Sequence, residues 1–172
     1  TYFNQQTYAR HIATGTLPET VYARVKRLEE QPEYRFEHIK MEDLERVIED
    51  FRTVYNKAWS MFTGVPQMDQ VHARQLMNTL RPIIDPELVY FAHYNDEPIG
   101  FFIMIPDINQ IIKKFNGKFG IINKLRFLWE LKVARKVDRV FGLIFGVTPE
   151  QQGKGVESGM MRAFEKKIEQ GT

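Results

Sequence analysis

The sequence predicts an α/β fold in which a mixed, mostly antiparallel sheet is flanked by helices. Three observations carry that expectation. Leu44, Val47, Ile48, Phe51, Val54, Tyr55, Ala58 and Phe62 recur at helical spacing and form one apolar stripe. Two apolar runs, Leu88 to Tyr94 and Pro98 to Ile105, are separated by the turn-forming Asn95-Asp96-Glu97 and read as a hairpin. A third run, Val140 to Val147, is closed by Thr148-Pro149-Glu150, and helical spacing then appears at Val156, Gly159, Met160, Ala163 and Phe164.

Taken in order, Thr1 to Thr16 is polar and aromatic without a period and reads as a leader. Leu17-Pro18-Glu19 then opens a helix with proline in its first turn, carrying Val21, Val25 and Leu28 on one face. Residues 1–33 are therefore expected to be a leader and linking helix, the tail of a preceding domain, and residues 34–172 the main domain. Tyr34, Phe36 and His38 alternate with charged residues, as an edge strand requires. The strongest helix is expected over Met41 to Phe62, ended by Gly64-Val65-Pro66, and a second over Met68 to Ile84. The strand Pro98 to Ile105 is apolar on both faces and should lie centrally. Asp107 to Lys136 is a helical excursion: Ile108, Ile111, Ile112 and Phe115 make a short amphipathic helix, and Ile121, Ile122, Leu125, Leu128, Trp129 and Val133 a longer one. The excursion is basic, with Lys113, Lys114, Lys118, Lys124, Arg126, Lys132, Arg135 and Lys136 against Asp107 and Glu130. It suits a solvated face, a lid over a neighbouring groove, or contact with acidic lipid or a partner protein.

With 172 residues, 43% of them hydrophobic, the chain can fill a core of one domain. Its 24 basic and 22 acidic residues nearly cancel, which argues against a dedicated nucleic-acid binder. Cysteine is absent, which removes disulfides, thiolate metal ligands and cysteine nucleophiles; a cytoplasmic location is expected. No apolar run approaches the roughly 20 residues of a membrane span. The histidines His11, His38, His72 and His93 show no metal-ligand spacing, so no metal is expected. His93 is placed on a strand that should border the active groove.

Ligand chemistry is concentrated in Gln151-Gln152-Gly153-Lys154-Gly155-Val156. A buried strand, a glycine turn and an exposed helix start aim unpaired N–H groups and the positive end of a helix dipole at one spot, which favours phosphate. The Gly-Lys-Ser/Thr ending of a P-loop is missing, as are the three spaced glycines of a dinucleotide fingerprint.

The order of elements resembles the GNAT superfamily of acyl-CoA-dependent N-acyltransferases. The resemblance rests on Gln152-x-x-Gly155, preceded by Val147-x-Pro149; on Asn95-Asp96-Glu97-Pro98-Ile99-Gly100-Phe101, like the family's turn into its central strand; and on the helix opening Met41-Glu42-Asp43-Leu44. It spans roughly residues 34 to 169. It implies that the amides of Gln152, Gly153, Lys154, Gly155 and Val156 bind the pyrophosphate of CoA, and that Phe145 and Val147 face the pantetheine and acyl group. Acetyl-CoA would be the cosubstrate, no metal being needed, and the acceptor a small-molecule or protein amine. A sister GNAT-like domain or a homodimer is the expected partner. Glu157 stands where the family's motif ends in glycine or alanine. The family's next strand and helix would lie beyond Thr172, and no acid stands between Val140 and Val147 to act as a base. The competing expectation is therefore a non-catalytic GNAT-like module that packs against a second domain or binds a ligand.

Overall fold

The computed structural model describes residues 18–59, 62–117, 120–134 and 137–171. The expected leader, Thr1 to Thr16, lies outside them, as do Ser60, Met61, Lys118, Arg135 and Lys136. Helix α1 spans Glu19–Glu29, with Glu19 in its first turn and Lys26 and Arg27 in its last, signs that match the helix dipole. Strand β1 is Tyr34–His38. A 3₁₀ turn at Met41–Asp43 leads into α2, Leu44–Trp59, and α3 is Gln70–Leu80. The hairpin is β2, Val89–Tyr94, and β3, Glu97–Pro106. A single helical turn α4, Asn109–Ile112, then precedes α5, Ile121–Lys132. Strand β4, Val140–Val147, and helix α6, Val156–Gly171, complete the described chain.

Among the described residues the sheet has the order β1-β2-β3-β4, and each pairing is antiparallel. The architecture expected from the sequence, helices around a mostly antiparallel sheet, is the one observed. The β3 strand is central because its side chains are apolar on both faces. Phe101 and Ile103, with Phe91 of β2, face α2 and α3. Met104, with Tyr90 and Ala92, faces α6 through Val156 and Met160. Phe101 is fully buried, which contributes roughly 2–3 kcal/mol relative to exposure. The hairpin needs only the two residues Asn95 (φ 49°) and Asp96 (φ 66°), both left-handed, as a two-residue turn of right-twisted strands demands; Glu97 already belongs to β3.

Boundaries shift where capping outweighs apolar spacing. Helix α3 starts at Gln70 rather than Met68, because Asp69 accepts a hydrogen bond from His72 N (2.8 Å) and so caps it. Asn56 holds the segment before it by a reciprocal pair, Nδ2 donating to Met68 O (2.9 Å) and Oδ1 accepting from Met68 N (2.7 Å). Helix α2 ends at Trp59, and Phe62, expected in its buried stripe, is 61% exposed. Trp59 itself stacks on Tyr55 and Phe101, with ring centroids 5.0 and 6.0 Å apart.

Two larger corrections concern what faces solvent. Ile121, Ile122, Leu125, Leu128, Trp129 and Val133, read from the sequence as the apolar face of an amphipathic helix, are exposed on α5, which buries Phe127, Glu130 and Leu131 instead. Phe127 and Leu131 sit one turn apart and pack with Ile111 and Phe115. Glu130 accepts from Arg126 Nε (2.8 Å) and Lys114 Nζ (3.1 Å), which fixes the rotation of the helix. Those two hydrogen bonds, Arg126's first, hold the Glu130 carboxyl below the usual carboxylate range. Strand β4, expected to be buried, pairs among the described residues on one side only, with β3; Val140, Phe141, Leu143 and Phe145 are exposed, and burial begins at Gly146.

Candidate functional site

The end of β4, the following loop and the start of α6 are built around two left-handed positions. Thr148 N donates to Ile99 O (2.9 Å), holding the strand end on β3, and Pro149–Gln151 makes one 3₁₀ turn. Gly153 (φ 74°) and Gly155 (φ 98°) then reverse the chain into α6, a path that glycine alone adopts readily. Side chains lock the turn from within. The buried Gln151 accepts from Tyr34 OH at 2.9 Å, and Gln152 Nε2 donates to Val147 O at 3.0 Å.

The main-chain donors of this turn divide into two sets. Gln152 N and Lys154 N make long turn bonds to Pro149 O and Gln151 O, both 3.4 Å. Gly153, Gly155, Val156, Glu157 and Ser158 donate to no main-chain acceptor among the described residues; the first amide satisfied inside α6 is that of Gly159, bonded to Gly155 O (2.9 Å). These free donors gather at the positive end of a 16-residue helix. A Cβ at Gly153 would meet nothing within 4 Å, so the loop is open on that side.

The adjacent strand edge is also open. In an antiparallel ladder, main-chain groups alternate between facing the partner strand and facing away. Thr148 faces β3 through its bond to Ile99 and pairs by register with it, so Phe145 and Val147 direct their main-chain groups away from β3. The Val147 carbonyl is taken by Gln152; the Phe145 and Val147 amides have no strand beside them among the described residues. Their side chains differ: Phe145 is 54% exposed, whereas Val147 is buried against Val156 and Met160, so Val147 offers its main chain alone. Gln152, Gly153 and Lys154 are exposed, Gly155 and Val156 buried, and Glu157 is half-buried in the first turn of α6.

Sequence reading missed Arg24. Its stem from α1 crosses Gly155, closing one side of the loop and leaving a cation beside it. Nothing local in the chain signals this contact, which arises because α1 packs on α6, with Lys166 Nζ 2.6 Å from Glu29 Oε1 and the Arg162 guanidinium 5.4 Å from the Tyr22 ring centre. His93, expected along the groove, lies two strands from the β4 edge. It is buried with Nε2 3.2 Å from Asp50 Oδ2, in a polar cavity of about 350 Å³ lined by Arg35, Glu37, Arg46, Asp50 and Asp96. Among the described residues no three His, Cys, Asp or Glu side chains gather to hold a metal, and no helix is long and apolar enough to cross a membrane.

The chain matches no known family profile. It is 31% identical over 121 residues to a bacterial ceramide synthase of Caulobacter vibrioides, an alignment covering 70% of this chain and 31% of that protein. It is 24% identical over 83 residues to Protein YghO of Escherichia coli, covering 48% of this chain and 21% of the other. The chain thus spans about a third or less of the length of these curated relatives. Among solved structures, the apo form of an agmatine N-acetyltransferase mutant aligns with 80% of this chain and 71% of its own at 13% identity and a TM-score of 0.43.

Proposed function

We propose that this chain forms the acyl-donor site of an N-acyltransferase that moves an acyl group, acetyl in the simplest case, from acyl-CoA to an amine. The observation that carries the reading is the set of main-chain donors at Gly153, Gly155 and Val156 that find no main-chain acceptor among the described residues, beside the amides of Phe145 and Val147, which have no strand next to them there. A pyrophosphate would occupy the first set, with Lys154 and Arg24 as adjacent cations. The extended pantetheine arm would run along the β4 edge. The name of the ceramide synthase fits, since ceramide is an N-acyl amide.

In this reading a neutral amine attacks the thioester carbonyl, and the strand amides stabilise the oxyanion of the tetrahedral intermediate. Collapse expels the CoA thiolate, and the proton lost by the amine passes to water or directly to the leaving sulfur. The Val147 side chain is buried with Val156 and Met160, so in this reading its N–H is what it offers to the thioester. The acceptor is an amine whose carrier the site leaves open. A sister domain or a second copy bordering the free edge of β4 belongs to the same proposal, as does a cytoplasmic setting.

The test is calorimetric titration with acetyl-CoA, desulfo-CoA and dephosphorylated pantetheine. Micromolar binding of both CoA species and none of pantetheine is the expected outcome. Failure of both CoA species to bind at millimolar ligand removes the enzyme reading and leaves a packing module.

A further inference from the structure

The α5 helix is packed on one side and apolar on the opposite one. At about 100° per residue, the buried residues Phe127, Glu130 and Leu131 together with Asn123 occupy one arc. Across the axis, Ile121, Ile122, Leu125, Leu128, Trp129 and Val133 fill a second arc about 140° wide. Their exposures are 79, 82, 64, 40, 54 and 68%. Six large apolar residues on a solvent face cost solvation free energy that an isolated surface helix normally avoids.

Charge around this arc has one sign. Lys124 and Arg126 stand at its two margins, and the exposed Lys113 and Lys114 precede it. Glu130 is the one acid from Ile108 to Val137, against eight basic residues, and it is buried and held by Lys114 and Arg126. It therefore shows no negative charge to solvent. Lys132 lies within the arc, but its amine bends back to Ile84 O (2.6 Å), leaving only its methylene stem on the apolar face. The whole chain carries a formal charge of only +2, so this excess is local.

We propose that α5 docks into the surface of an anionic phospholipid membrane, with its apolar arc at the acyl-chain boundary and its marginal lysines and arginine at the phosphates. Lipid rather than protein fits this face because an apolar stripe with cations on both margins, and no exposed acid within the segment, complements an anionic headgroup layer. Trp129 takes the interfacial depth that indole prefers. The docking does not depend on the acyl-transfer reading.

Vesicle flotation tests the proposal, using phosphatidylcholine vesicles with and without phosphatidylglycerol. The protein is expected to float with the anionic vesicles and not with phosphatidylcholine alone, and to dissociate as salt rises. Ile122→Ser with Leu125→Ser should weaken flotation about tenfold or more, since two large side chains leave the acyl boundary. Lys124→Gln should weaken it about fivefold. Both variants change exposed residues, so an unaltered melting curve certifies their fold. Equal flotation with the two vesicle types, or none with either, overturns the proposal. So does a dimer that becomes monomeric in the Ile122/Leu125 variant without any change at vesicles, because the arc would then be a protein interface.

Discussion

The stem of Arg24 lies across Gly155, so that a Cβ added there would come within 2.6 Å of Arg24 Cδ and 2.8 Å of its Cγ. One helix outside the β4–α6 junction thus completes the wall of the candidate anion site. The arrangement separates two roles of a single glycine, backbone path and clearance.

For Gly155→Ala, the φ of 98° matters more than the clash, since the Arg24 stem can swing aside whereas a left-handed alanine stays strained. A loss of about 1–2 kcal/mol, or roughly 3–6 °C in Tm, is expected. Acetyl-CoA affinity should fall at least tenfold, because the Gly155 amide loses its direction. Adding Arg24→Ala should restore neither quantity. Full recovery in the double variant would show that clearance, not backbone path, selects glycine here.

Glu157 bears a carboxylate within the first turn of α6, where the helix dipole welcomes it and a bound pyrophosphate repels it. Replacing it by glutamine should tighten acetyl-CoA about two- to fivefold, corresponding to about 0.4–1 kcal/mol of like-charge repulsion. Desulfo-CoA, which carries the same pyrophosphate, should tighten by the same factor. Identical CoA affinities for the two proteins would place the anion elsewhere.

Gly159 presents its α-carbon to the Phe36 ring, where a Cβ would sit 2.5 Å from two ring carbons. Alanine gains about 1 kcal/mol of helix propensity, but overpacking costs about 1–3 kcal/mol. The ring has little room to yield, being stacked beside Tyr34 with centroids 6.3 Å apart. Gly159→Ala should therefore destabilise by about 1 kcal/mol in urea melts, and less in a Phe36→Leu background. A stabilised single variant would mean that β1 moves freely on α6.

Tyr90 carries a buried hydroxyl with no hydrogen-bond partner among the described residues, and burial, with Glu87 as a smaller cause, pushes its pKa up to about 12. Because the folded pKa lies above the unfolded value near 10, the contribution to stability is complete below pH 10 and is lost as pH rises toward 12. Tyr90→Phe keeps the ring contact with Phe164 and removes the orphaned group. It should be neutral or stabilising by about 1 kcal/mol at pH 7 and should flatten the alkaline limb. Denaturant melts between pH 8 and 12 decide the matter, and an unchanged limb would remove Tyr90 from it.

Period and punctuation made much of the fold legible. The 3.6-residue spacing of α2, the Asn95-Asp96 turn and the double-sided β3 are local patterns, and local patterns survive folding. The turn at Gly153 and Gly155 was legible for the same reason, since left-handed backbone favours glycine. What failed depended on partners. Ile122 and Leu125 look like core until Glu130 captures Lys114 and Arg126 and turns the helix over. Val140 to Phe145 looks like an interior strand until its neighbours are counted. Arg24 at the loop and Asp50 at His93 are meetings of distant segments that no spacing announces.

A register shift between Ile103 and Met104 of β3 keeps the facing strand β4 from acting as a continuous template. It leaves Leu143 without a counterpart and breaks β4 into Val140–Gly142 and Ile144–Val147. A stacked fibril needs about six consecutive residues of common pleat. Neither half of this strand supplies them, so an apolar border that would otherwise seed aggregation is interrupted in its middle.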